Sequence, residues 1–360
     1  MEYPKEFISL IHRLDKQPNP NLCFIGQGSP RAKMIIVERD NHIDTSTTRG
    51  KGCYMMEVLH NANQWMRNIE GNICANDIPS WVESPFSSGN FNPLYPYKGL
   101  KRVLAKRDTD GSTINNGVSK SWLSYQKLRR IISPAFESEE IDFHQGAFLT
   151  SLSSVNCPIH GYSDEVRKSI GDRCEQLFTD SYFRSFDVIL MPCGKMVKDC
   201  HVNVEKVFDQ KFIEEIKYGD EWVRYYEKGG RVLMLTSPVI KCSDSLLNVI
   251  GNKARETLLK PLLKYFVYYK GTEDSMSKNL MAGYEHSWAC SHLIGEDVRF
   301  EHEVYDMIKY YEIEEEWIDS FGIPRTLIGL FFNRYCHWSY YTTKDNFKHW
   351  FEDVRNVKNK

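Results

Sequence analysis

No run in the 360-residue sequence approaches the length of a membrane span, about eighteen apolar residues, so a helical membrane protein is not expected. The first segment, MEYPKEFISLIHRLDKQ, alternates acid and base and lacks the apolar block of a signal peptide. The expectation is a soluble, cytoplasmic protein with no membrane partner. Charge of one sign is also missing. A net charge of −2 gives no global basic signature for nucleic acid, although a local patch would suffice. The ten cysteines have no paired short spacings, which favours reduced thiols over a disulfide framework. His286, His292, His337 and His349 form no short ligand pattern with cysteine, so no metal site is expected. No Gly-rich phosphate loop follows a strand; GQGSPRAK precedes its strand, which disfavours an enzyme of free nucleotides. No internal repeat is visible.

What is present is an alternation of short apolar runs and helical patterns. Met34–Val37, Ala147–Leu152, Val188–Met191 and Arg231–Thr236 read as buried strands. Between them, Met55, Val58/Leu59, Ala62, Trp65/Met66 and Ile69 recur every three to four residues, as one helix face requires. Trp122, Tyr125, Leu128 and Ile131/Ile132 repeat that spacing, as do Val166, Ile170, Cys174 and Leu177/Phe178. The pattern predicts an α/β protein, a three-layer α/β/α sandwich around a mainly parallel sheet. Residues 71–118 are rich in Gly, Pro, Ser and Asn and read as a long loop. From 271 onward the pattern is helical without strand signal. The expected division is therefore an α/β domain over 1–270 and a helical C-terminal extension over 271–360.

The run Met34–Val37 empties into Glu38, Arg39, Asp40 and Asn41. Either the chain surfaces there, or the strand end presents a carboxylate to a ligand, since parallel sheets gather ligands at the carboxyl ends of their strands. Basic residues cluster at Lys98, Lys101, Arg102, Lys106 and Arg107, and again at Lys120, Lys127, Arg129 and Arg130. Each cluster reads as a solvated face or as a phosphate contact. Aromatics make up 13% of the chain and crowd its last quarter, where NRYCHWSYYTTKDNFKHWF fits either a packed helical cap or a base-stacking surface.

Four segments, in order, carry a resemblance. GQGSPRAKMIIV is similar to a G-x-G-x-P-x-A-K-I-L-I-V approach to a first core strand, and ERDNHI follows it. GAFLTSLSSVNCP, FDVILMPCG and RVLMLTSPVIKCSDSLL complete the set. Together, over roughly residues 20–265, they resemble the uracil-DNA glycosylase superfamily, in particular its divergent bacterial members. Asp40 falls on the aspartate of the first motif, while Glu38, Arg39, Asn41 and His42 replace its Gly, Gln, Pro and Tyr. Ser151 stands where uracil-reading members carry Asn. The second motif offers Thr236, Ser237 and Pro238 and lacks its histidine. Cys157 and Cys174 occupy two positions of a four-cysteine iron–sulfur site. No C-x-x-C precedes the first strand, so both read as packing residues and no cofactor is expected.

The resemblance implies a monofunctional DNA glycosylase that hydrolyses the N-glycosidic bond of a flipped-out base and leaves an abasic site. Asp40, with Glu38 second, would stabilise the cationic sugar and orient water. Asn41, His42 and Ser151 would bind the base. Ser237, Lys241 and Ser243 would grip DNA, duplex or single-stranded, with no obligatory protein partner. A serine at 151 leaves room beside a pyrimidine ring, which suits a modified base, and an enzyme aimed at modified phage DNA would fit. The competing expectation is a catalytically silent nucleic-acid-binding module of the same fold, because the missing His and Asn are what lost chemistry would leave.

Overall fold

The computed structural model describes residues 3–16, 19–41, 43, 45–80, 91–96, 98–99, 106–107, 113–114, 120–132, 140–157 and 161–266. The expected extension from 271, and most of the loop expected over 71–118, lie outside the described residues.

The N-terminal part runs α1 (Lys5–Lys16), β1 (Gln27–Gly28), β2 (Met34–Glu38), α2 (Thr48–Tyr54), a π-helical turn (Met55–Leu59) and α3 (Asn61–Glu70). A short antiparallel pair, β3 (Lys106–Arg107) with β4 (Thr113–Ile114), precedes α4 (Lys120–Ile132) and the single turn α5 (Phe143–Gly146). Then come β5 (Ala147–Ser151), α6 (Asp164–Gln176), β6 (Val188–Met191), α7 (Gly194–Asp199) and α8 (Val204–Phe208). The hairpin β7 (Phe212–Tyr218) and β8 (Glu221–Lys228), then β9 (Arg231–Thr236) and α9 (Asp244–Phe266), follow.

Among the described residues, one seven-stranded mixed sheet runs in the order β1-β5-β2-β6-β9-β8-β7. Its central strands β5, β2, β6 and β9 are parallel, with Met34 opposite both Ala147 and Val188, and Val188 opposite Val232. β1 runs antiparallel to β5, and the β7–β8 hairpin adds two antiparallel strands beyond β9. The expectation of an α/β sheet with a parallel centre is met. The hairpin lies outside the strand candidates read from the sequence.

All five residues of β2 are buried, which is why the run is uniformly apolar rather than alternating. Its two faces are nonetheless distinct. Ile35 and Val37 enter an aromatic core with Phe7 of α1, Trp65 of α3, Phe148 of β5 and Tyr182. Met34 and Ile36 instead line a small hollow together with Tyr125, Leu128 and Ile132 of α4. Each apolar side chain fully buried this way contributes roughly 1.5–3 kcal/mol. The α1 face is formed by Phe7, Leu10, Ile11 and Leu14, at helical spacing. By the same alternation Glu38, two residues beyond Ile36, falls on the α4 side.

Two glycines let β1 lie against β5. Gly26 and Gly28 have φ of +152° and +97°. A Cβ there would come within 2.4 Å of the Phe148 ring and 2.3 Å of the Ala147 carbonyl oxygen. The Gly26 carbonyl in turn accepts hydrogen bonds from Trp65 Nε1 (2.9 Å) and Asn61 Nδ2 (3.0 Å), tying α3 to the sheet.

Candidate functional site

Four parallel strands end on one edge, so the segments after β2, β5, β6 and β9 share it. The exits of β2 and β5 are immediate neighbours. Glu38 stands opposite Ser151, and pairing continues past the strands: Leu152 N donates to Glu38 O (2.7 Å) and Ser153 N to Arg39 O (3.1 Å). This brings the expected residues Glu38, Asp40, Asn41 and Ser151 together.

Glu38 is 7% exposed on the α4 side, where the Tyr125 hydroxyl donates to its Oε1 at 2.8 Å. Burial, reinforced by the neighbouring Glu38 charge, pushes the Tyr125 phenol well above its usual pKa. The phenol therefore stays a proton donor across ordinary pH, aimed at a carboxylate.

Asp40 is enclosed rather than open at the rim as expected: it is 1% exposed. Its Oδ2 accepts from the Cys157 amide and from Arg39 Nε, both at 3.0 Å. Arg39 itself is one-third exposed, so the ion pair joins an enclosed acid to a partly solvated cation. The other bonds around Asp40 lace the same two loops. Asn41 Nδ2 (3.4 Å) and the Tyr54 hydroxyl (3.0 Å) both donate to Ser154 O, and Asn156 Nδ2 donates to Ile43 O (2.6 Å). The Cys157 thiol is pushed up by burial first and by the Asp40 charge second, so it stays protonated and unreactive.

Ser151 is also buried, and its Oγ donates to Ser153 O (2.7 Å). Behind it sits Arg173 of α6, with no exposure at all. Its Nε donates to Ser151 O (3.0 Å), one terminal nitrogen to Phe24 O (2.6 Å) and Asn21 O (3.2 Å), the other to Thr150 Oγ1 (3.0 Å). The guanidinium also lies 5.4 Å from the Phe178 ring and 5.9 Å from the Phe24 ring. Desolvation lowers its pKa to about 10, yet it remains charged at neutral pH.

The second-motif segment follows β9 at the same edge. Ser243 is occupied at the start of α9: its Oγ accepts from Leu246 N (3.2 Å) and donates to Glu221. Lys241 is exposed and Ser237 half-buried. His42 lies outside the described residues, as do His286, His292, His337 and His349. Cys157 and Cys174 are partly buried against the core, and among the described residues no three His, Cys, Asp or Glu side chains are placed to hold a metal. Of the basic clusters, Arg129 is spent in a buried pair with Asp142, and Lys98 donates to Ala75 O and Ile78 O, both at 2.8 Å. A hollow of about 320 Å³, lined by Ile213, Arg231 and Lys253, lies at the opposite end of β9.

Tyr125, Arg39, Cys157 and Arg173 are site neighbours that sequence reasoning did not assign. The signal for Tyr125 was its hydroxyl on an otherwise apolar face, since a buried phenol needs a partner. Arg173 gave the same signal more strongly, as a charge on the buried side of α6. Chemically, the edge offers two carboxylates at one strand end, one held by a neutral donor and one by a cation and an amide.

Comparison with known proteins adds no family: no family model, curated protein or solved structure matches the chain.

Proposed function

We propose that the protein is a DNA glycosylase that hydrolyses the N-glycosidic bond of a flipped-out, modified pyrimidine at the carboxyl edge of its sheet. The observation that carries this reading is the register of β2 on β5, which sets Glu38 opposite Ser151 and brings Asp40 onto the loop after β5. The four segments of the resemblance also coincide with the four adjacent parallel strands. Base loss needs a carboxylate near a cationic sugar that also orients the attacking water, and donors for the departing base. Asp40 serves as the carboxylate once Arg39 moves to a DNA phosphate, with Glu38 and its Tyr125 donor beside it. Ser151 contributes a small wall rather than an edge-reading amide, which favours a substituted pyrimidine.

A second reading is supported by the enclosure of Asp40 at 1% exposure, held by an arginine and a backbone amide. A carboxylate kept that way suits a nucleic-acid-binding module whose chemistry is lost. Oligonucleotides carrying uracil, hypoxanthine or modified cytosines, incubated with the protein and then treated with alkali, separate the two. Strand breaks at a modified pyrimidine support the glycosylase. Binding without breaks supports the module. Uracil cut as fast as every modified base removes the roomy-pocket argument, and neither binding nor breaks removes both readings.

A further inference from the structure

At one end of the sheet, β1 has two residues; at the other, β7 has seven. β7 pairs with β8 on one side, and among the described residues nothing pairs with its other edge. Most of the strand is exposed, Phe212 by 48% and Ile213 by 54%. A long, unpaired edge is a template for another strand. Its register irregularity falls between Phe212 and Glu214, leaving Glu214–Tyr218 as the regular stretch, with Ile216 at its centre.

We infer that a second copy of this chain pairs with this edge, antiparallel, about a two-fold axis at Ile216. The charge pattern selects both occupant and register. With the axis at Ile216, Glu215 of each copy, already paired with Arg224 of its own β8 at 2.6 Å, faces Lys217 of the other, and Glu214 faces Tyr218, so two complementary charge contacts form across the edge. An axis at Glu214, Glu215 or Lys217 would set identical charges against each other. The chosen register also puts the exposed Ile213 opposite Gly219 of the neighbouring copy. A Cβ at Gly219 would meet nothing within 4 Å, so the turn leaves room for an incoming side chain. The result is one continuous sheet through both copies, with a closed, isologous contact. This inference is independent of the proposed chemistry.

Sedimentation velocity of the full chain from about 1 to about 100 μM tests it. The expected result is a concentration-dependent dimer weakened by added salt, because the charge pairs are exposed. Lys217→Glu alone and Glu215→Lys alone each place like charges across the axis and raise the dimer Kd at least about tenfold. The double variant, Glu215→Lys with Lys217→Glu, made together with Arg224→Gln so that the new lysine meets no like charge on β8, reverses both charges and restores the dimer to the level of Arg224→Gln alone. A monomer over the whole range, a dimer indifferent to the single variants, or a double variant that stays monomeric would each overturn the pairing.

Discussion

The Tyr125 hydroxyl, on α4, donates a 2.8 Å hydrogen bond to Oε1 of Glu38, at the exit of the central strand. It joins two residues 87 positions apart and is buried at both ends. Tyr125→Phe keeps the ring in its packing place but removes the donor from a buried carboxylate. The expected cost is about 1–3 kcal/mol, read as a lower urea midpoint at unchanged slope. Glu38→Gln, which retains an acceptor for the phenol, is expected to cost less than Tyr125→Phe. A Tyr125→Phe protein as stable as the parent would show that the bond adds nothing.

Arg173 makes a second prediction. Its guanidinium satisfies four acceptors on two separate segments, so Arg173→Met strands buried carbonyls at Phe24 and Ser151. The expected loss is about 3–5 kcal/mol, and Arg173→Lys restores little because an ammonium cannot span that fork. Denaturant unfolding of the two variants checks this. A Lys variant at parental stability would mean that charge, not geometry, matters there.

His144 should set part of the pH dependence. It has no exposure, and its ring is 4.9 Å from Tyr95, 5.3 Å from Phe143 and 5.8 Å from Trp122. Neither ring nitrogen has a hydrogen-bond partner among the described residues. Desolvation first, and Arg129 second, take its pKa from 6.5 down to about 3. The unfolded chain therefore binds the proton more readily. Stability from this residue is fully present above pH 6.5 and is lost as pH falls from 6.5 toward 3. Over that window the loss approaches about 1.4 kcal/mol per pH unit. His144→Phe should flatten the acid limb of a stability–pH curve by that amount. Parallel acid limbs for parent and variant would contradict it.

The central strands were readable to within a residue because strands buried on both faces leave a continuous apolar run, as Met34–Val37 and Val188–Met191 do. The β7–β8 hairpin was harder. Its buried positions, Val223, Tyr225 and Tyr226, sit among charged residues, and no single stretch is apolar enough to stand out. At the site, the neighbouring exits of β2 and β5 put Asp40, Asn41 and Ser151 together. The enclosure of Asp40 was not legible. It depends on the Cys157 amide, 117 positions away, and on how Arg39 folds back over its own neighbour. Nor could spacing reveal that Ser243 is used as a helix cap, because the cap requires knowing where α9 begins.

The most direct measurement follows release of free base from a modified-pyrimidine oligonucleotide by the parent protein and by Asp40→Asn, side by side, with melting temperatures recorded for both. Asparagine keeps the acceptor for the Cys157 amide, so the fold should hold. The account predicts base release by the parent and a fall of at least about 100-fold in Asp40→Asn at little change in melting temperature. Release at the parental rate by the asparagine variant, or none from a parent that binds the oligonucleotide, would contradict it.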